Sequence, residues 1–298
     1  MWLQIYKRRR LIAALMWVAV AGASCEQPSS QPLRVVCTTD ILAELVADIA
    51  GDAAQVTVLI PPGSNIHRFG KDLSEDVAAS ADVVFHHGFG VEEGLYHVLA
   101  FSESRSDLVS VTEFVAESYP PDSHIWLDPE LWKEAAGPVI AALSEHRPSK
   151  FGEFKLNGER FRARLDTLHV WMKSQISRIP QRDRIGISTH DAFGVLRPGY
   201  GVDVRGPMDG PVDSLAGWAD EHEVEVLFPT SHEETANVTS LLRTLQARGV
   251  TLRRGPLLYT DGLLTGQREG SHYVATMMVN VRGIVSAFGA SASSSVAN

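Results

Sequence analysis

Cysteine is nearly missing from this chain: there are two in 298 residues, Cys25 and Cys37. No CxxC and no Cys/His cluster occurs, which excludes a thiolate metal site and a disulfide framework. Cys37 falls in the apolar run Val35-Val36-Cys37 and reads as a small buried hydrophobe, although a Cys25–Cys37 bridge stays open if Cys25 is unmodified. Positive charge is also scarce, with 27 Lys and Arg against 36 Asp and Glu, a formal charge of −9. The first 24 residues hold Lys7, Arg8, Arg9 and Arg10 and no acid, so the remainder is more acidic still. Such a surface repels nucleic-acid phosphates, and a nucleic-acid partner is excluded. No apolar run reaches the ~20 residues of a membrane span. Neither His222-Glu223 nor His232-Glu233 continues to the second histidine of an HExxH zinc-protease motif.

What is present is an ordinary globular composition, 44% apolar and 21% charged, behind a leader. Residues 1–25 carry a basic cluster, an apolar stretch from Leu11 to about Ala23 and small residues before Cys25, the pattern of an export signal. Gly22-Ala23-Ser24-Cys25 resembles a bacterial lipobox, with Cys25 the residue that would carry lipid and Gly22 where Leu is usual. The protein is therefore expected to be exported, and either lipid-anchored to the cell membrane or periplasmic. Residues 26–33 read as a tether.

From residue 34 onward strand-like and helix-like pieces alternate. Strands are predicted at 34–38, 55–60, 82–85 and 108–111, with helices at 41–49, 73–79, 91–101 and 130–144, the last kinked near Gly137-Pro138. The stretch 148–179 carries Phe151, Phe154, Gly158, Phe161, Leu165, Leu168, Met172, Ile176 and Ile179 at steps of three and four, one apolar stripe on a helix on the order of 45 Å long. Strands are predicted again at 184–188, 202–204, 224–228, 251–253 and 257–259, and helices at 212–221, 234–248 and 273–288. This βα order predicts an α/β fold of two parallel-sheet lobes flanked by helices, 34–147 and 181–289, joined by one long rigid helix, 148–180, with a disordered tail at 290–298.

In open parallel sheets ligands bind beyond the carboxyl ends of the strands. His67, His124, His190 and Asp261 all fall in loops at or near such ends, two before the long helix and two after it. Facing lobes would bring the four into one cleft. Among the other histidines, the pair His86-His87 reads as ordinary and exposed, His222 and His232 as surface residues, and His97, His146, His169 and His272 as structural.

Four segments carry a family resemblance. Asp122-Ser123-His124-Ile125-Trp126-Leu127-Asp128-Pro129, Thr189-His190-Asp191-Ala192-Phe193-Gly194, Leu258-Tyr259-Thr260-Asp261-Gly262 and Glu269-Gly270-Ser271-His272-Tyr273 through Met277-Met278-Val279-Asn280 resemble, in this order, segments of the substrate-binding lipoproteins of zinc- and manganese-importing ABC transporters. The resemblance spans residues 34–288. It implies that His67, His124, His190 and Asp261 are the metal ligands, that Zn²⁺ or Mn²⁺ is the transported ligand, and that the partner is a permease in the cytoplasmic membrane, served by a monomer. Family members with Glu in place of His190 tend towards manganese, so the resemblance leans to zinc. Three departures stand out. Ile66-His67-Arg68-Phe69-Gly70-Lys71 lacks both prolines of the family's P-H-x-Y-x-P, Ser123 replaces a proline, and Thr230 stands where an acid is usual. The long His-rich loop of many zinc members is also missing. The competing readings are a secreted zinc hydrolase, with Asp191 as its base, and a surface adhesin.

Overall fold

Leu33–Cys37 (β1) is apolar at four of its five positions and buried at the same four, as a strand covered on both faces must be. Ala54–Val58 (β2), Val83–His86 (β3) and Asp107–Ser110 (β4) join it in a sheet ordered β2-β1-β3-β4. All its pairings are parallel, and Val35 lies between Val56 and Val83. Ile185–Ser188 (β5), Asp203–Arg205 (β6), Val226–Phe228 (β7) and Arg253–Arg254 (β8) form a second parallel sheet, ordered β6-β5-β7-β8. These arrangements come from a computed structural model that describes residues 31–113, 119, 124–207, 212–231, 235–264 and 271–295. The leader with Cys25, the tether up to residue 30, Asp122-Ser123, His232, Glu269-Gly270 and the last three residues of the tail lie outside them.

Helices cover both sheets. In the first half these are Asp40–Ala50 (α1), Tyr96–Ser102 (α2), Pro129–Trp132 (α3) and Ala136–His146 (α4). The side chain of Thr39 caps α1 by accepting the Leu42 N–H, while Ile41, Leu42, Leu45, Val46 and Ile49 turn into the core. Phe151–Ile176 (α5) is the long helix, 26 residues and so about 39 Å. Its stripe is buried as the spacing predicts, from Phe154 to Ile176, except that Phe151 at the start is 52% exposed. Gly158 lets α4 come close, since a Cβ there would sit 2.5 Å from Ile140 Cδ1 and that side chain would have to shift.

The second half adds Leu196–Tyr200 (α6), Val212–Glu221 (α7), Thr235–Gln246 (α8) and His272–Ser295 (α9). One face of the second sheet packs Ile187 and Leu227 against Leu215, Ala219, Val238 and Leu245. The other face, with Val204, Val226 and Phe228, joins the main core together with α5 and α9. Helix α5 packs on α1, α3 and α4 and also on α9, which ties the halves together.

Four stretches differ from the sequence reading; the tail, expected to be disordered from residue 290, continues α9 to Ser295. Residues 73–79, expected to be helical, form turns; Ser74 bonds Asp76, and only i→i+3 backbone bonds close (Val77 to Ser74 at 3.2 Å, Ala79 to Asp76 at 2.9 Å). The helix expected at 130–144 is broken into α3 and α4 by a tight turn at Lys133–Ala135. Pro138 explains the position, since its ring excludes the carbonyl four residues earlier, that of Glu134. The strand expected at 257–259 shrinks to one bridge, Thr230 to Leu258.

Candidate metal centre

His67 follows β2 in a loop whose turn at His67 is held by hydrogen bonds where the family has its two prolines. Asn65 Oδ1 accepts the backbone N–H of both His67 and Arg68 at 3.1 Å. The His67 carbonyl accepts the Gly94 N–H at 2.9 Å, and its Nδ1–H donates to the Val91 carbonyl at 3.0 Å. With the proton fixed on Nδ1, the Nε2 lone pair faces the cleft. Position 94 must be glycine: a Cβ there would sit 2.3 Å from the Phe69 carbonyl oxygen and 2.8 Å from that of Arg68. The 88–92 loop that supplies Val91 is anchored in turn by Glu92. Its buried carboxylate accepts the Thr38 hydroxyl at 2.6 Å and the N–H groups of His87 and Gly88 at 2.7 and 3.2 Å. Burial pushes its pKa above the usual carboxylate range, against those hydrogen bonds.

His124 stands just before the single turn Ile125–Leu127, its side chain fully buried and its ring 4.7 Å from that of Trp126. His190 lies two residues past β5, where the Ser188 hydroxyl donates to the His190 carbonyl at 2.6 Å. Asp261 follows the Thr230–Leu258 bridge. The segment before it is clamped by Asn280 of α9, which accepts the Tyr259 N–H at 2.8 Å and donates to its carbonyl at 2.7 Å. Thr230, where the family usually has an acid, is buried and bonds Thr189 Oγ1 at 2.9 Å.

The four side chains meet. Nε2 of His190 is 2.8 Å from Nε2 of His124 and 3.2 Å from that of His67. The Asp261 carboxylate lies 3.3 Å from His124, 3.5 Å from His190 and 3.9 Å from His67. Its side chain is 1% exposed, whereas those of His67 and His190 are 14% and 17% exposed. Donors placed tetrahedrally at ~2.0–2.1 Å from one ion are ~3.3 Å apart, and the observed separations scatter around that value. The arrangement is thus sized for one small divalent cation, closed by Asp261 beneath and open towards solvent beside His67 and His190.

Some neighbours of the site have no local signal in the sequence. His87, expected to be exposed, is fully buried: its Nε2 is 2.9 Å from Thr39 Oγ1, and its ring lies 4.3 Å from Trp126 and 5.7 Å from Trp132. The two-residue period of β3 carries the buried face of Phe85 on to His87. Asp191, the base of the hydrolase reading, accepts the Gly206 N–H at 3.1 Å. His97, His146 and His169 bond the Leu73 carbonyl, Asp107 and Tyr200, while exposed His222 bonds the carbonyl of Trp218.

Two parallel-sheet lobes, a continuous helix between them and a nitrogen-rich donor cluster at the strand ends define a class: two-lobed α/β binding proteins with a site fit for a transition-metal ion. Residues 35–287 match the family model described as "ZnuA: Zinc-uptake complex component A periplasmic", and the chain belongs to that family. It is 26% identical over 289 residues to the manganese-binding lipoprotein MntA of Bacillus subtilis, covering 89% of this chain and 94% of the relative. It is also 26% identical over 285 residues to the zinc-binding protein TroA of Treponema pallidum, covering 89% and 92%. A solved structure of periplasmic TroA from Treponema pallidum superposes with a TM-score of 0.77 at 25% identity, over 86% of this chain and 99% of that one. Among the described residues no helix is long and apolar enough to cross a membrane.

Proposed function

We propose that this protein is the metal-capturing subunit of an ABC importer. Outside the cytoplasmic membrane it takes Zn²⁺ or Mn²⁺ between His67, His124, His190 and Asp261 and hands the ion to a permease. The observation that carries this reading is the convergence of the four donor atoms, all within 4.8 Å of one another. MntA, named for manganese, and TroA, named for zinc, are each 26% identical to this chain, so likeness to these two does not choose the metal. The donor set does favour one: three imidazoles and a carboxylate at tetrahedral spacing suit Zn²⁺, whereas Mn²⁺ prefers more oxygens and six positions. Four protein ligands close the shell, which serves holding and not turnover. We further propose that the mature chain is a monomer anchored through lipid on Cys25, the lipid anchor being what MntA, named as a lipoprotein, would lead one to expect.

The test is elemental analysis of protein purified without chelator, paired with thermal unfolding in Zn²⁺ and in Mn²⁺. The expected result is one ion per chain and a stabilisation of about 4 kcal/mol at a thousandfold excess over the dissociation constant. His190→Ala should remove most of that gain and leave the metal-free fold intact. Melting temperatures unmoved by either metal would overturn the proposal and favour the adhesin reading. Ligating imidazoles must be neutral, so affinity should fall in acid.

A further inference from the structure

Helix α1 carries three carboxylates, Asp40, Glu44 and Asp48, spaced four residues apart along one face. Asp48 pairs with Arg164 of α5. The other two reach the second half of the chain. Asp40 Oδ2 accepts the Leu263 N–H at 3.0 Å. Glu44 accepts the Tyr273 N–H with both oxygens, at 3.2 and 3.1 Å, and the Ser271 hydroxyl as well. His272 Nδ1 stands 3.7 Å from Glu44 Oε2, whose side chain is 15% exposed.

The two grips fall at consequential places. Leu263 is two residues beyond Asp261, and between them Gly262 lies against Asp40, where a Cβ would be 3.5 Å from Oδ2. Ser271 and Tyr273 flank His272, the first residue of α9, so Glu44 also accepts at a helix N-terminus, where a carboxylate is favoured. Two anionic side chains of one short helix therefore hold both ends of the connection from the Asp261 loop to α9. Of the four donors around the proposed ion, Asp261 is the only anion, and an ion leaves only after a donor withdraws.

We propose that Asp40 and Glu44 form a clasp: positioning residues that hold the Asp261 loop against the first lobe and so set the rate at which captured metal is released. This rests on the metal-capture reading given above. Loosening the clasp lets the loop and its carboxylate move away from the three imidazoles. Approach of an ion does not require the clasp to break, so release responds and association does not.

The experiment compares wild type with Asp40→Ala, Glu44→Ala and the double variant, which remove the accepting oxygens, with Asp48→Ala as a control on the same helix that stops at α5. Each is loaded with Zn²⁺ and chased with excess chelator by stopped flow, and association is measured separately. The expected result is release at least tenfold faster in the double variant, intermediate in the single ones, with association within threefold and Asp48→Ala like wild type. Release within twofold of wild type, or equal losses in both rates, overturns the clasp. If the double variant does not fold, the single variants decide. If wild type holds neither Zn²⁺ nor Mn²⁺, the capture reading falls, and the clasp is judged in metal-free protein by amide exchange. Leu263 and Tyr273 then exchange at least tenfold faster in the variants if the clasp is real, and unchanged if it is not.

Discussion

Trp126 donates its indole N–H to the Thr260 carbonyl at 2.7 Å. The residue two past His124 thereby holds the residue just before Asp261, joining donors that lie more than a hundred positions apart in the chain. Tyr273 closes the arrangement from α9, its hydroxyl donating to the Trp126 carbonyl at 2.7 Å. Trp126→Phe keeps the ring against His124 and His87 but leaves a buried carbonyl short of a donor. A loss of about 1–3 kcal/mol in stability is expected. Zn²⁺ affinity should fall about tenfold, measured by chelator competition; unchanged affinity would show that the Asp261 loop holds itself.

Gly94→Ala tests the loop that replaces the family's prolines. Its methyl group has nowhere to go but into the Phe69 carbonyl, which belongs to backbone and cannot swing aside. Overpacking of this kind costs about 1–3 kcal/mol. The displaced segment carries His67, so metal binding should weaken more than chemical denaturation of the metal-free protein would suggest. Titration calorimetry beside urea unfolding separates the two.

The glycines of α5 should part company. Gly152 has open space around its missing Cβ, and Ala there should stabilise by about 1 kcal/mol through helix propensity alone. Gly158→Leu should destabilise by several kcal/mol, because α4 approaches with Ile140. Thermal melts of both variants check the contrast.

His86, half-buried and not exposed as expected, and fully buried His87 set an acid limit. Burial lowers the pKa of His86 to about 4 and holds that of His87 well below its usual value. A histidine whose folded pKa lies below its unfolded ~6.5 binds fewer protons when folded. Its contribution is therefore complete above pH 6.5 and is lost as the pH falls below that towards the folded value. For His86 this is about 2 kcal/mol between pH 7.5 and pH 5. Asp40, Glu44 and Glu92, raised by desolvation, act in the opposite sense, so the isolating comparison is His86→Leu against wild type. Urea unfolding of metal-free protein should lose about 2 kcal/mol less in the variant over that range.

Much of this was legible in the chain because two periodicities are local. The stripe of α5 reads from Phe154 to Ile176, and strands β1, β3 and β5 read from short apolar runs. That His67, His124, His190 and Asp261 meet was legible from their places in loops beyond strands taken together with the family resemblance. What holds them was not. Asn65, Gly94, Glu92 and the α1 carboxylates act through hydrogen bonds or close approaches to partners elsewhere in the fold, and no period announces them. His87 was misread because a strand's buried face continued one step beyond its apolar run. Residues 73–79 were misread because Ser74 and Asp76 bond locally instead of extending a helix.

The two sheets repeat one wiring, β2-β1-β3-β4 and β6-β5-β7-β8, and the long helix falls between them. Each half supplies two members of the donor set, His67 and His124 from one, His190 and Asp261 from the other. Either piece alone would offer the proposed ion two donors, where the intact chain offers four. On the metal-capture proposal, retention is then a property of the pairing of halves, and whatever unsettles that pairing would loosen the ion without touching any of the four side chains.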